Sequence, residues 1–182
     1  MNRVWMTAIL ALLTLGAQLP GATLERMSLD QMIARSTGIV RGRITGSYAA
    51  QRGPVIYTRY SVQVLETWKG QAAGSIEVSV PGGTANGLRQ SFSGAPRLTR
   101  GAEYVLFLWT GRSGMTQVIG LSQGVFTLID SSSSGAMAVR PASSETMLDP
   151  KTLQAVRDET LKMPLSELKD KVSKAIGGGS KQ

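Results

Sequence analysis

Between Val55 and Trp68 the chain alternates with a period of two. Ile56, Thr58, Tyr60, Val62, Val64 and Trp68 fall on one side, and Tyr57, Arg59, Ser61, Gln63 and Thr67 on the other. Successive side chains of a strand point to opposite faces, so this phase predicts a half-buried β-strand and is incompatible with a helix. Leu65 and Glu66 interrupt the phase, which predicts a bulge there. The same grammar recurs along the chain. Strands are predicted at Ile39–Thr45, Ser75–Val80, Leu88–Phe92, Thr116–Ile119, Val125–Ile129 and, as a weaker edge, Met137–Arg140. Tyr104–Trp109 is continuously apolar, as expected of a central strand buried on both faces. Gly53-Pro54, Lys69-Gly70, Pro81-Gly82-Gly83 and Gly111–Gly114 supply the turns.

Helical signals flank this region. Ser28-Leu29-Asp30-Gln31 reads as a capping box opening a short helix to about Arg35. Asp149-Pro150 reads as the start of a second helix carrying Leu153, Val156, Thr160 and Leu161. Ser166 is expected to cap a third, with Leu165, Leu168, Val172 and Ile176 on one stripe. Gly177-Gly178-Gly179 ends it, and residues 177–182 read as a disordered tail.

At the N-terminus, Arg3 precedes an uncharged apolar run from Val4 to Leu15. That is the length of a signal-peptide core and short for a membrane span. Residues 1–22 are therefore read as a signal peptide, cleaved after Ala22 or alternatively after Ala17. This implies export to a bacterial periplasm or beyond. No later stretch is apolar enough to cross a bilayer. The remaining organisation expected is a β domain with a short leading helix over 23–140 and a helical pair over 141–176.

The chain has neither cysteine nor histidine. Disulfides, thiolate nucleophiles and thiolate zinc sites are thereby excluded. So are the most frequent general base and the most frequent metal ligand. Gly120-Leu121-Ser122-Gln123-Gly124 matches the letters of a nucleophile elbow, but that elbow needs a helix after it and an imidazole. Val125-Phe126-Thr127-Leu128 reads instead as strand, so the motif is a glycine-rich connection. Ser166-Glu167-Leu168-Lys169 matches S-x-x-K without its companion motifs. Gly82 to Gly87 has phosphate-loop spacing, yet Leu88 stands where that loop needs lysine. A carboxylate pair is the remaining route to acid–base chemistry, and the β region offers only Glu66, Glu77, Glu103 and Asp130. No cofactor is expected.

From Gly38 to Arg140 ten basic residues face those four acids, whereas the remainder after Arg140 has seven against six. The positive excess thus lies on the β region and points to an anionic partner. Arg41, Arg43 and Arg59 all take the polar phase of their strands and would share one face if those strands pair. With the loop residues Gly82, Gly83 and Gly87 they are the candidate contacts. Tyr57, Tyr60, Trp68, Phe107 and Trp109 read as core or rim, and no aromatic-basic pattern for specific nucleic-acid readout appears.

The stretches Gly38–Ile44, Ile56–Val64 and Trp68-Lys69-Gly70, with Val80-Pro81-Gly82-Gly83, Gly94-Ala95-Pro96-Arg97, Gly101–Leu108 and Gly120–Gly124, resemble a group of bacterial exported proteins of uncharacterised function. Their order also resembles the netrin-like domain of tissue inhibitors of metalloproteinases, over about Thr37 to Ile129. That second resemblance implies a small, partly open OB-type β-barrel with helices packed against it. Inhibition in that family uses an N-terminal cysteine on the protease zinc; this chain has none, so no inhibitory residue carries over. The expected fold class is mainly β, of that barrel type, with one leading and two trailing helices. The expected function is non-enzymatic binding of an anionic or protein partner. A protease-associated accessory acting through loops and a carboxylate hydrolase are the alternatives.

Overall fold

The computed structural model describes residues 23–72, 74–131 and 135–178; the proposed signal peptide and the end of the tail lie outside them. Among the described residues the protein is mainly β with two α-helices. Strand β1 (Thr23–Glu25) precedes helix α1 (Leu29–Arg35). The capping box is present: Gln31 N–H donates to Ser28 Oγ at 3.2 Å, and Ser28 N–H to Gln31 Oε1 at 2.8 Å. Strands β2 (Gly38–Arg52) and β3 (Val55–Lys69) then form one long hairpin closed at Gly53-Pro54. The first of them runs seven residues beyond the predicted Thr45 end, because its partner supplies hydrogen bonds all the way to Val55. The predicted bulge is there: Arg41 faces Glu66 while Gly42 faces Val64, so Leu65 is skipped.

Strand β4 (Ser75–Pro81) follows, then a short hairpin of β5 (Gly83–Ala85) and β6 (Leu88–Gln90). Strands β7 (Glu103–Thr110), β8 (Thr116–Val118), β9 (Val125–Ser131) and β10 (Gly135–Arg140) complete the β region. β2 pairs with β3 and β3 with β4, β4 touches β8 in parallel at Ser79 and Gln117, β8 pairs with β7, and β7 returns to β2. β9 and β10 extend the sheet from the other edge of β7.

As expected, β7 is buried on both faces from Tyr104 to Leu108, but Trp109 at its end is 47% exposed. Tyr104, Leu106 and Leu108 join Val40, Ile44, Tyr60, Val62, Val78 and Val80 in one core. Val105 and Phe107 join Phe126 and the helices in a second. Helix α2 (Leu165–Gly178) contributes Leu168 and Val172, both fully buried, to that second core. Among the described residues no helix is long and apolar enough to cross a membrane.

The C-terminal helical pair is corrected to one helix. Residues 146–164 carry β11 (Thr146–Leu148) with its partner β12 (Ala155–Val156), and β13 (Leu161–Pro164). Asp149 Oδ1 accepts from the N–H groups of Lys151 and Thr152 at 2.9 Å, so it caps a turn. Leu153 then takes φ 56°, which ends any helix after that turn. Tertiary pairing decides the rest: β13 completes the open edge of β10, which is therefore not an edge strand. Ser166 sits inside the first turn of α2 rather than ahead of it.

Candidate anion-binding cleft

The ten cations of the β region separate into two sets. Arg41 donates to Glu66 and Glu103, both at 2.9 Å; Arg43 also reaches Glu103, and Arg59 pairs with Glu77. Lys69 Nζ donates to the carbonyls of Ile33 and Ala34 at the end of α1, where a helix carries partial negative charge. Arg140 pairs with Asp158. Arg41 and Arg43 thus converge on one carboxylate, while Arg59 lies further out along the hairpin, opposite Tyr48. Each of the three sequence-selected arginines has an internal partner. Arg52, Arg89, Arg97, Arg100 and Arg112 have no carboxylate within salt-bridge distance among the described residues.

Two of these unpaired arginines wall one cleft. Its floor is Thr58 and Tyr60 of β3. One side is Val80–Thr84 with Arg89 and Gln90; the other is Ser91, Phe92 and Ala95–Leu98. The cavity is about 500 Å³, and no Asp or Glu lines it. It lies entirely within the connection from β4 to β7 and the strands beneath. A connection that long in a compact sheet is where binding residues concentrate.

Local sequence builds this cleft. Asn86 and Gly87 both take positive φ, 53° and 74°, as a two-residue type I′ hairpin turn requires. Gly83, at φ 139°, lies so close to the sheet that a Cβ would sit 2.7 Å from Thr58 Oγ1. Gln90 clamps the hairpin: its Oε1 accepts from Ile56 N–H at 2.7 Å and its Nε2 donates to the Pro54 carbonyl at 2.9 Å. Opposite, the Tyr60 hydroxyl accepts from Leu98 N–H, and the Tyr104 hydroxyl from Thr99 N–H. Ser122 N–H donates to Gly94 O. The walls are therefore preorganised, which lowers the ordering cost of binding.

Of the sequence-selected loop residues, Gly82 and Gly83 line the cleft and Gly87 makes its hairpin turn. Sequence reasoning missed Arg89, Gln90, Phe92 and Arg97. The Asn86-Gly87 dipeptide was the available signal, since it marks a hairpin and so places Arg89 on a strand beside the turn. The Gly120–Gly124 connection is structural. Buried Gln123 accepts from Met27 N–H and donates to the Glu25 carbonyl, both at 2.9 Å, tying the N-terminal strand and helix to the sheet.

Glu66, Glu77 and Glu103 are held in their ionised form. Lys169, Trp68 and Arg41 together hold Glu66 at about 2. Glu103 is pulled below the usual range by Arg43 first and then Arg41, against the effect of burial. Glu77 is lowered by the Tyr48 hydroxyl and Arg59. General-acid work needs a carboxyl pushed the other way. A depressed carboxylate stabilises the fold fully above its unfolded value, and the contribution is lost as pH falls through the folded one. Melting temperature is therefore expected to fall as pH drops from about 5 to about 2, and less steeply in Glu66→Gln. An unchanged slope in that variant would remove Glu66 as a contributor.

No protein-family model matches the chain, and no curated protein matches it.

Proposed function

We propose that this is an exported, non-enzymatic binding protein built on a small, partly open OB-like (netrin-like) barrel, and that it takes an anionic partner at the cleft between Arg89 and Arg97. The barrel reading is supported by the pairing order β2–β3–β4–β8–β7, which returns to β2, and by the single β4–β8 register pair that leaves the ring open there. Export is supported by the charged and apolar character of residues 1–15. The non-enzymatic reading is supported by the missing thiol and imidazole and by the salt bridges that engage Glu66, Glu77 and Glu103 on the sheet.

The observation that carries the reading is an imbalance. Arg41, Arg43 and Arg59 are neutralised by neighbours, whereas Arg89 and Arg97, two of the five arginines without a carboxylate partner among the described residues, wall one cavity whose lining holds no carboxylate. A guanidinium offers a planar donor fork suited to carboxylate, sulfate or phosphate.

The test uses heparin as the polyanion. Wild-type protein is retained, and retention weakens steeply with salt. Arg89→Ala with Arg97→Ala is expected to lose roughly tenfold or more in affinity, the scale of a lost charge-assisted hydrogen bond. Arg43→Ala, removing a cation already neutralised, is expected to change it less than about twofold. Equal retention of the double variant and wild type would overturn the assignment.

A further inference from the structure

We infer that the cleft accepts an acidic polypeptide in extended conformation, which adds as a strand to the free edge of the β5–β6 hairpin. The inference rests on the anion-binding reading and narrows it to one class of partner.

The hairpin is a two-stranded sheet paired only with itself. Its turn is two residues, so Ala85 and Leu88, which flank it, form a hydrogen-bonded pair. The next pair along, Thr84 and Arg89, then directs its N–H and C=O groups outward. Arg89 thereby offers a charged side chain and an outward donor and acceptor at one position on the cleft wall. Neither backbone group of Arg89 has a protein partner outside the hairpin among the described residues. An unpaired strand edge is a template for another chain.

The class of anion follows from that edge. A sulfated polysaccharide or a phosphate satisfies the arginine side chains but carries no backbone N–H and C=O at strand spacing to pair with both outward groups of Arg89. An extended peptide matches both. Alternate peptide side chains point the same way, so acidic residues at every second position can meet Arg89 and Arg97. The intervening apolar ones meet Phe92 and Leu88, which are 41% and 60% exposed. The lining has no negative charge to repel such a peptide.

The probe is a fluorescent peptide of alternating Glu and Val, measured by anisotropy against the full protein and in competition with heparin. A second peptide carries N-methyl groups on alternate residues, which removes edge donors and keeps the charge. Two N-methyl peptides cover both registers. The expected result is that the parent peptide binds, that one N-methyl peptide loses roughly tenfold or more, and that Arg89→Ala with Arg97→Ala loses both peptide and heparin. If both N-methyl peptides bind as the parent does, or if heparin binds and the peptide does not, the strand-addition inference is overturned while the anion site stands. If the double variant binds everything as wild type does, the cleft assignment itself fails. Both arginines are exposed, so the variants are expected to melt with wild type, which circular dichroism checks.

Discussion

Asp158→Ala is expected to cost about 3–5 kcal/mol of folding stability. Asp158 and Arg140 form a two-pronged ion pair with side chains 1% and 5% exposed. Arg140 Nη1 and Nη2 reach the two carboxylate oxygens at 3.1 and 2.9 Å, and Nη2 also donates to the Glu159 carbonyl. Asp158 in turn accepts from Ser143 N–H at 2.8 Å. Truncating the acid leaves a guanidinium in the interior without its counter-charge, and Arg140 Nε already has no partner. Replacing both residues by apolar ones, Arg140→Met with Asp158→Leu, is expected to recover most of the loss, because the penalty lies in the unpaired charge rather than in the absence of the pair. Urea titrations of the two variants against wild type check this. A single variant within about 0.5 kcal/mol of wild type would mean the pair is wetter than its burial indicates. Burial pushes the Asp158 carboxyl up, but Ser143 N–H and the Arg140 guanidinium pull it below its usual range. Its contribution is accordingly present above the unfolded value and lost as pH falls through the folded one.

Phe126→Ala is the second large effect, also about 3–5 kcal/mol. Phe126 is fully buried, and its ring lies 5.6 Å from that of Phe107, tilted by 43°. Around them pack Met32 and Ile33 of α1 and Leu168 and Val172 of α2. The cavity opens where both helices meet the sheet, and rigid strands on either side prevent its collapse. A fall of about 6–20 °C in melting temperature is expected for a chain of this size. Ile129→Ala, on the same strand but 52% exposed, is the control and is expected to change stability by less than about 0.5 kcal/mol. Equal melting of the two variants would contradict the second core.

Much of the architecture was legible because alternation is a local property. The phase of Val55–Trp68, the double-sided burial of Tyr104–Leu108 and the stripe Leu165, Leu168, Val172 and Ile176 all follow from side-chain direction. The Ser28–Gln31 box is more local still, since both of its partners lie within one turn. The helix expected after Asp149 failed for the converse reason. Its local signals were a cap and three weakly spaced apolar residues, and pairing with β10 and burial against Arg140 outweighed them. Propensity differences of a few tenths of a kcal/mol do not survive such competition.

The candidate site divides in the same way. Sequence established that a positive excess lies on the β region and that no thiol or imidazole is present. It did not distinguish Arg41, Arg43 and Arg59 from Arg89 and Arg97. All five are arginines of the same β region, and the carboxylates that neutralise the first three come from residues 18 to 62 positions away. Composition and periodicity determine which residues can form strands and what chemistry the side chains offer, because those depend on each residue and its near neighbours. Which cation finds a counter-charge and which is left facing a cleft was decided by strand register and by the path of the β4–β7 connection, because charge pairing acts through space and only folding brings those partners within reach.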